Sequence, residues 1–329
     1  MNLPNAVFVI RWLVRDTLRQ ARANGLLWLM LGLTAVATAF CLTIAIEGDA
    51  ERPPLRPWED PAYLPRSEIP KYAPEELIQS GIDVPTGELR LLFGAFRIPL
   101  TRSRAEAVRS IELLLAGALA DTAGVLLALI WTAGILPNFL DPSFASVMLA
   151  KPARRSWLLA GKIAGVLVAV GLLAIAFIGL TWLALGLRTG VWDARYFSGV
   201  PILLVHFAVF FCVSAWLAVA TRSTVAAALG SLGFWAVCWG VNYVRHVAAA
   251  AGGVPPLLDA AYWLLPKPVD LGVLLMEALE ARSIFGQDAA IELLHSRGEI
   301  ALEAALLTSL LVPLAAYIAA VRRLTRAEF

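Results

Sequence analysis

Few residues in this chain have types and spacings that could do chemistry, and most of them stand apart. His206, His246 and His295 fall in separate segments, and no HExxH or GxSxG pattern accompanies them. Cys41, Cys212 and Cys238 each lie inside an apolar block without CxxC or Cys/His ligand spacing. Neither a disulfide frame nor a metal site is therefore expected. Gly161 and Lys162 resemble the end of a phosphate-binding loop. Ser156, however, stands where its first glycine belongs, and Ile163 replaces the required Ser or Thr. No cofactor is expected on this chain; any ATP that drives it must sit on another polypeptide.

Two ionisable groups fall well inside apolar stretches. Asp121 stands about 13 Å along a helix from Glu112, by the 1.5 Å rise per residue. A carboxylate at that depth is either protonated or paired with a basic or polar group on another helix. His206 is equally costly there without a partner. Both are candidates either for a translocation path or for hydrogen bonds between helices. Glu112 and Glu303 lie near span ends, where snorkelling makes a carboxylate ordinary.

The elements that must position these residues follow from composition. The 329 residues are 59% hydrophobic and 16% charged, too apolar for a soluble domain of this size, and the mean hydropathy is +0.73. The apolar residues come in blocks long enough to cross a bilayer as helices, roughly 20 residues each, and they lack the alternation of a membrane barrel. The expectation is an all-α polytopic membrane protein with six spans.

Residues 1–24 should form an amphipathic interfacial helix. Arg11, Arg15, Arg19 and Arg22 share one of its faces, while Phe8, Ile10, Trp12, Leu13, Val14 and Leu18 fill much of the rest. Span 1 is placed at 25–46. Residues 47–109 read as an extracytoplasmic insertion, proline-studded in its first half. A short apolar-aromatic run, Leu89 to Leu100, is broken by Gly94 and reads as a hairpin or a lid on the membrane. Spans 2 to 5 are placed at 110–135, 158–186, 200–220 and 225–244, with a loop at 136–157. Residues 245–300 are semi-apolar and interrupted by Pro255, Pro256, Pro266 and Pro268, which suits short or re-entrant helices. Span 6 and a basic tail occupy 301–329. A seventh span through Leu257 to Leu279 is rejected, because it would carry Asp259, Lys267 and Asp270 past two prolines.

Orientation follows from lysine and arginine near span ends. The N-terminal arginines share a side with Lys151, Arg154, Arg155, Lys162, Arg222, Arg322, Arg323 and Arg326. The 245–300 segment on the other side is rich in acids. Both termini are therefore expected in the cytoplasm, with the chain in the cell (inner) membrane.

The loop after span 2 is the most informative stretch. Leu136-Pro137-Asn138-Phe139-Leu140-Asp141-Pro142-Ser143 can open a short surface helix, with Asp141 or Ser143 near its N-terminus. Met148-Leu149-Ala150-Lys151-Pro152-Ala153-Arg154-Arg155 follows, and then Gly161-Lys162. A basic cytoplasmic loop explains the charges but not this order. The stretch resembles the permease subunits of ATP-binding-cassette (ABC) exporters of the type-2 class. In that family a cytoplasmic helix precedes a Leu-Leu-x-x-Pro-x-x-Arg stretch and a Gly-Lys pair opening the next span. The N-terminal helix is similar to the family's connecting helix. Asp141 and Ser143-Phe144 stand where many relatives carry a Glu and a Gly-Thr pair.

The resemblance implies a half-transporter that pairs with a second permease chain, identical or paralogous, and docks on separate ABC ATPase subunits. It assigns ATPase coupling to Pro137, Asp141, Ser143, Lys151, Pro152, Arg154, Arg155 and Lys162. The expected partners are those ATPases, the second chain and the lipid bilayer, with no nucleic acid. Few charges line the spans, which favours a lipid-like, hydrophobic or peptide substrate over a small ion. Two other classes stay open: a membrane-embedded enzyme acting on lipid through Asp121, His206 or His246, and an assembly factor binding partners through its outer domain. The enzyme requires these acid/base groups to meet within one protomer.

Overall fold

In the computed structural model, residues 3–23, 25–48, 87–100, 103–140, 155–281, 291, 294, 297, 298 and 300–326 are described. Asp141, Ser143, Lys151, Pro152 and Arg154, with the proline-studded part of the outer insertion, lie outside the described residues. Six described helices are long and apolar enough to span a bilayer, and the chain is a membrane-embedded, mostly helical protein.

Helix α1 (Leu3–Ala23) is amphipathic in three sectors rather than two. Arg11, Arg15, Arg19 and Arg22 are exposed, and so are Phe8 and Trp12. Leu13, Thr17 and Ala21, four residues apart, are buried as a stripe. That stripe lies on Gly161 and Gly165. A Cβ at Gly161 would stand 2.6 Å from Leu13 Cδ1, and one at Gly165 would stand 2.6 Å from Thr17 Oγ1. Two small residues four apart let the helix backbones approach closely, as they do between membrane helices generally.

The first span, α2 (Gly25–Leu42), ends four residues short of the expected boundary. Thr43 closes the helix by donating both its N–H and its hydroxyl to Phe40 O, at 2.9 and 2.7 Å. Arg188 Nε then donates to Ile44 O at 3.2 Å. Beyond this point the apolar Ala45 and Ile46 belong to a strand, so the fold is not purely α-helical. Strands β1 (Ala45–Gly48), β2 (Gly87–Leu91) and β3 (Phe96–Leu100) form one antiparallel sheet in that order. In its register Ala45 faces Arg90, Glu47 faces Glu88 and Arg90 faces Arg97. The run from Leu89 to Leu100 is a hairpin, as its Gly94 break predicts.

Helix α3 (Arg104–Phe139) starts earlier and ends later than the second span's expected limits. Ser103 and Glu106 form a reciprocal capping box that sets its start. Its middle, Leu114–Gly124, is wound as a π-helix, in which Thr122 Oγ1 reaches back five residues to Gly117 O. After a turn at Ala133 and Gly134, one further helical turn covers Ile135–Phe139. Helix α4 (Arg155–Thr189) has 35 residues. That is roughly 50 Å, well beyond a hydrocarbon core of about 30 Å, so it projects past the bilayer. The projecting end meets α1.

A short 3-10 turn (Ala194–Ser198) leads to α5 (Gly199–Thr221). Helix α5 is the pillar of the bundle and is buried on most of its circumference, including Phe207, Phe210 and Phe211. Arg222 takes φ +54° and reverses the chain at once into α6 (Thr224–Ala250), which Ser223 caps through Ala226 N. The region of the rejected seventh span forms two short helices, α7 (Pro256–Leu264) and α8 (Pro268–Ala278), each opened by a proline. Helix α9 (Leu302–Arg326) completes the set.

The α1 seat is testable by volume. Gly165→Leu should destabilise the purified chain by about 1–3 kcal/mol, the usual cost of overpacking. Gly179→Ala, with no atom within 4 Å of the new methyl, should leave stability unchanged or slightly raised. Thermal unfolding in detergent reads both; equal effects would contradict the seat.

Candidate functional site

The two ends of the 136–157 loop converge on the seat of α1. Lys162 was expected as a loop or interfacial cation, yet its side chain is fully buried. Its Nζ donates to Asp16 Oδ2 at 2.8 Å and to Gln20 Oε1 at 3.2 Å, and it lies 5.5 Å from the Phe139 ring. Gln20 in turn donates to Asp16 at 3.1 Å. The cation therefore ties α1, α4 and the end of α3 together. Asp16 is inconspicuous in the sequence because four arginines on the same helix dominate its charge pattern.

Arg155, the first residue of α4, donates to Leu324 O at 2.7 Å and Thr325 O at 3.3 Å. It fixes the last carbonyls of α9, where a cation also complements the helix dipole. Arg323 donates to Ala220 O at 3.0 Å, so the end of α9 also holds the α5–α6 turn. Pro137 sits within the last turn of α3, and its carbonyl accepts from Leu140 N at 3.1 Å. Pro137, Arg155 and Lys162, three of the residues that the resemblance assigns to coupling, thus sit where α4 contacts α3, α9 and α1.

Asp121 and His206 are brought together. His206 Nδ1 lies 2.9 Å from Asp121 Oδ1, with both side chains buried. Trp235 Nε1 donates to His206 Nε2 at 3.0 Å. Indole nitrogen is a donor only, so His206 Nε2 must be the accepting nitrogen and the ring proton belongs on Nδ1, facing the carboxylate. The contact is close but poorly aligned for a hydrogen bond, so its attraction is mainly electrostatic. Aspartate on α3, histidine on α5 and tryptophan on α6 form a chain across three helices. Neither Asp121 nor His206 is in the wall of the apolar cavity between α2, α3 and α4.

A second polar cluster joins α6, α7, α8 and α9 and includes residues that the chain's pattern did not single out. Asp270 accepts from Tyr262 OH at 2.6 Å and Asn242 Nδ2 at 3.1 Å, and His246 Nε2 lies 2.5 Å away. Asn242 Oδ1 accepts Val269 N at 2.8 Å and Asp270 N at 3.3 Å, capping α8 from another helix. Asn242 and His246 sit four residues apart on one face of α6, the only local signal of the arrangement. Lys267, at the α7–α8 break, donates to Thr308 Oγ1 at 2.7 Å and Leu265 O at 3.1 Å. Burial pushes its ammonium pKa down, while Asp270 pulls it back up.

Glu112 departs from the snorkelling expectation. It is fully buried, and both carboxyl oxygens lack a hydrogen-bond partner among the described residues. Arg109, one turn earlier, is drawn instead to Asp193 at 2.8 Å. Glu303 is exposed, as expected.

One cavity is almost wholly apolar. It has a volume of about 440 Å³ and lies between α2, α3 and α4, with Phe40, Leu119, Leu127, Val170 and Phe177 in its wall. That volume suits a small hydrophobic ligand, since ligand pockets span roughly 300–1,000 Å³. Comparison with known proteins finds no family model and no curated protein that matches this chain.

Two predictions follow from the buried charges. Lys162→Met should cost about 3 kcal/mol by stranding Asp16, and Asp16→Leu added to it should restore most of the loss. An unrecovered double variant would mean that the pair is not what holds α1. A double-mutant cycle of Asp121→Asn and His206→Gln should give a coupling of about 0.6–1.7 kcal/mol, the range of polar pairs between membrane helices. Strict additivity would deny the contact.

Proposed function

We propose that this chain is the transmembrane subunit of an ATP-driven ABC exporter. In this reading two permease chains, identical or paralogous, form the transport path, and the ATPase subunits are separate polypeptides. The 136–157 loop lies in the cytoplasm together with both termini, and the complex sits in the cell (inner) membrane. The supporting observation is that the start of α4 is tied to α9 through Arg155 and to α1 and α3 through Lys162. A push on the loop from below would reach four helices at once, because the loop's two ends are fixed to one another and to α1.

Closure of an ATPase pair would then move this cluster as a rigid body rather than bend a single span. Lys151 and Arg154 carry the charge expected to meet phosphates or acidic ATPase residues. The apolar cavity between α2, α3 and α4 favours a lipid-like or otherwise hydrophobic substrate. Asp121 and His206, enclosed within one protomer, suit a fastening between helices better than a lining of the path.

A second reading has one observation in its favour. A lipid-modifying membrane enzyme requires acid/base groups in contact, and Asp121 touches His206. Against it, both groups are buried, and neither is in the wall of the apolar cavity.

The two readings part in one experiment. The tagged full-length chain, isolated from its native membrane, should carry a nucleotide-binding subunit with ATPase activity. Lys151→Glu with Arg154→Glu should lower coupled hydrolysis and export at least about tenfold, equivalent to 1.4 kcal/mol, without affecting insertion. Undiminished coupled activity in that variant would reject the coupling assignment. Activity that needs no ATPase but vanishes in His206→Gln would favour the enzyme.

A further inference from the structure

The turn joining β2 to β3 turns large apolar side chains outward. Phe93 is 83% exposed, Phe96 60% and Leu92 44%. Farther from the tip, the hairpin face that Phe96 shares is ordinary core: Leu89 is buried, and Leu91 and Ile98 pack beside it. Leu92 and Phe93 take φ +51° and +58°, followed by Gly94 at +94°. Bulky residues with positive φ are outliers, found where the surrounding structure enforces them for a purpose. Here the backbone geometry holds two apolar side chains away from the hairpin's own core.

The position of the turn identifies what those side chains meet. Phe93 N donates to Thr43 O at 3.3 Å, and Thr43 immediately follows Leu42, the last residue of the first span. Strand β1 leaves the bilayer, β2 returns antiparallel to it, and the register brings Arg90 opposite Ala45. The turn therefore stands level with the span's end, where headgroups give way to acyl chains. Leu42 is itself exposed at 43%, so the apolar surface of the turn continues that of the span. Arg90 and Arg97 face each other across the hairpin just above the tip, Arg90 being paired with Glu47 at 2.7 Å and with Glu88 at 3.4 Å. Aromatic tips with arginines above them match the composition of a membrane interface.

We propose that the β2–β3 turn is a lipid anchor. Leu92, Phe93 and Phe96 insert into the headgroup–acyl boundary of the leaflet on the sheet side, and Arg97 engages a lipid phosphate, while Arg90 stays paired with Glu47. The anchor fixes the height of the inserted domain on the bilayer. It also steadies the end of α2, whose Phe40 lines the apolar cavity.

The test uses the full chain in phospholipid nanodiscs, spin-labelled at Phe93→Cys, at Phe96→Cys and, as the aqueous reference, at Glu88→Cys. The unsubstituted chain serves as the blank for labelling of Cys41, Cys212 and Cys238. At residues 93 and 96 the label should collide with dissolved oxygen severalfold more than with a water-soluble nickel chelate, and the preference should reverse at residue 88. Preference for nickel at both tip positions would place the turn in water and overturn the proposal. Shielding from both reagents would mean that protein, such as a second copy of the chain, covers the turn, and would overturn it equally. Two tip positions guard against a single variant that misfolds.

Discussion

Removing one buried amine from water dictates the arrangement of one face of this protein. The Lys162 ammonium lies inside a membrane-protein interior, where an unpaired charge would be costly. Asp16 and Gln20 on α1 supply its partners, and both must come from a helix lying hard against α4. Gly161 and Gly165 make that approach sterically open, because any Cβ there would overlap Leu13 or Thr17. The charge requires the contact and the glycines permit it. Together they convert an amphipathic surface helix into a fixed part of the bundle.

The rest of the bundle is fastened in the same manner, by a few polar links set in apolar packing. Asp121, His206 and Trp235 join α3, α5 and α6 at mid-bundle. Asp270, His246, Asn242 and Tyr262 hold the α7–α8 break against α6 on the sheet side. Arg155 and Arg323 bind the end of α9 to α4 and α5 on the other side. Apolar packing between lipid-solvated helices is weakly directional, so such links set which helix meets which. An input at the 136–157 loop therefore arrives at a connected frame, consistent with rigid-body motion.

Much of this fold was legible in the primary structure, for a plain reason: a hydrocarbon slab requires long apolar blocks, and these blocks are visible at a glance. The prolines from Pro255 to Pro268 likewise point to short or re-entrant helices, and two short helices form there. Boundaries were less legible where two structures suit the same apolar residues, as at Ala45 and Ile46, which extend the span by composition but pair as a strand. Asp121 and His206 stood out as expensive charges, though their meeting did not, since the partners lie on different helices. Near a span end, Lys162 suits an interfacial anchor by sequence, yet its side chain is buried. Its actual partner lies 146 residues away in sequence, beyond any local pattern. Glu112 likewise suits a snorkelling position by sequence, and only packing reveals that its carboxyl group is enclosed.

The account rests on the basic turn between the second and third crossings lying on the cytosolic side, where a motor protein can reach it. The most direct measurement is the reaction of a membrane-impermeant maleimide with Ala153→Cys in sealed, right-side-out cells and in inverted vesicles. The account predicts labelling in inverted vesicles and none in intact cells. Labelling in intact cells would put the loop outside and contradict the account.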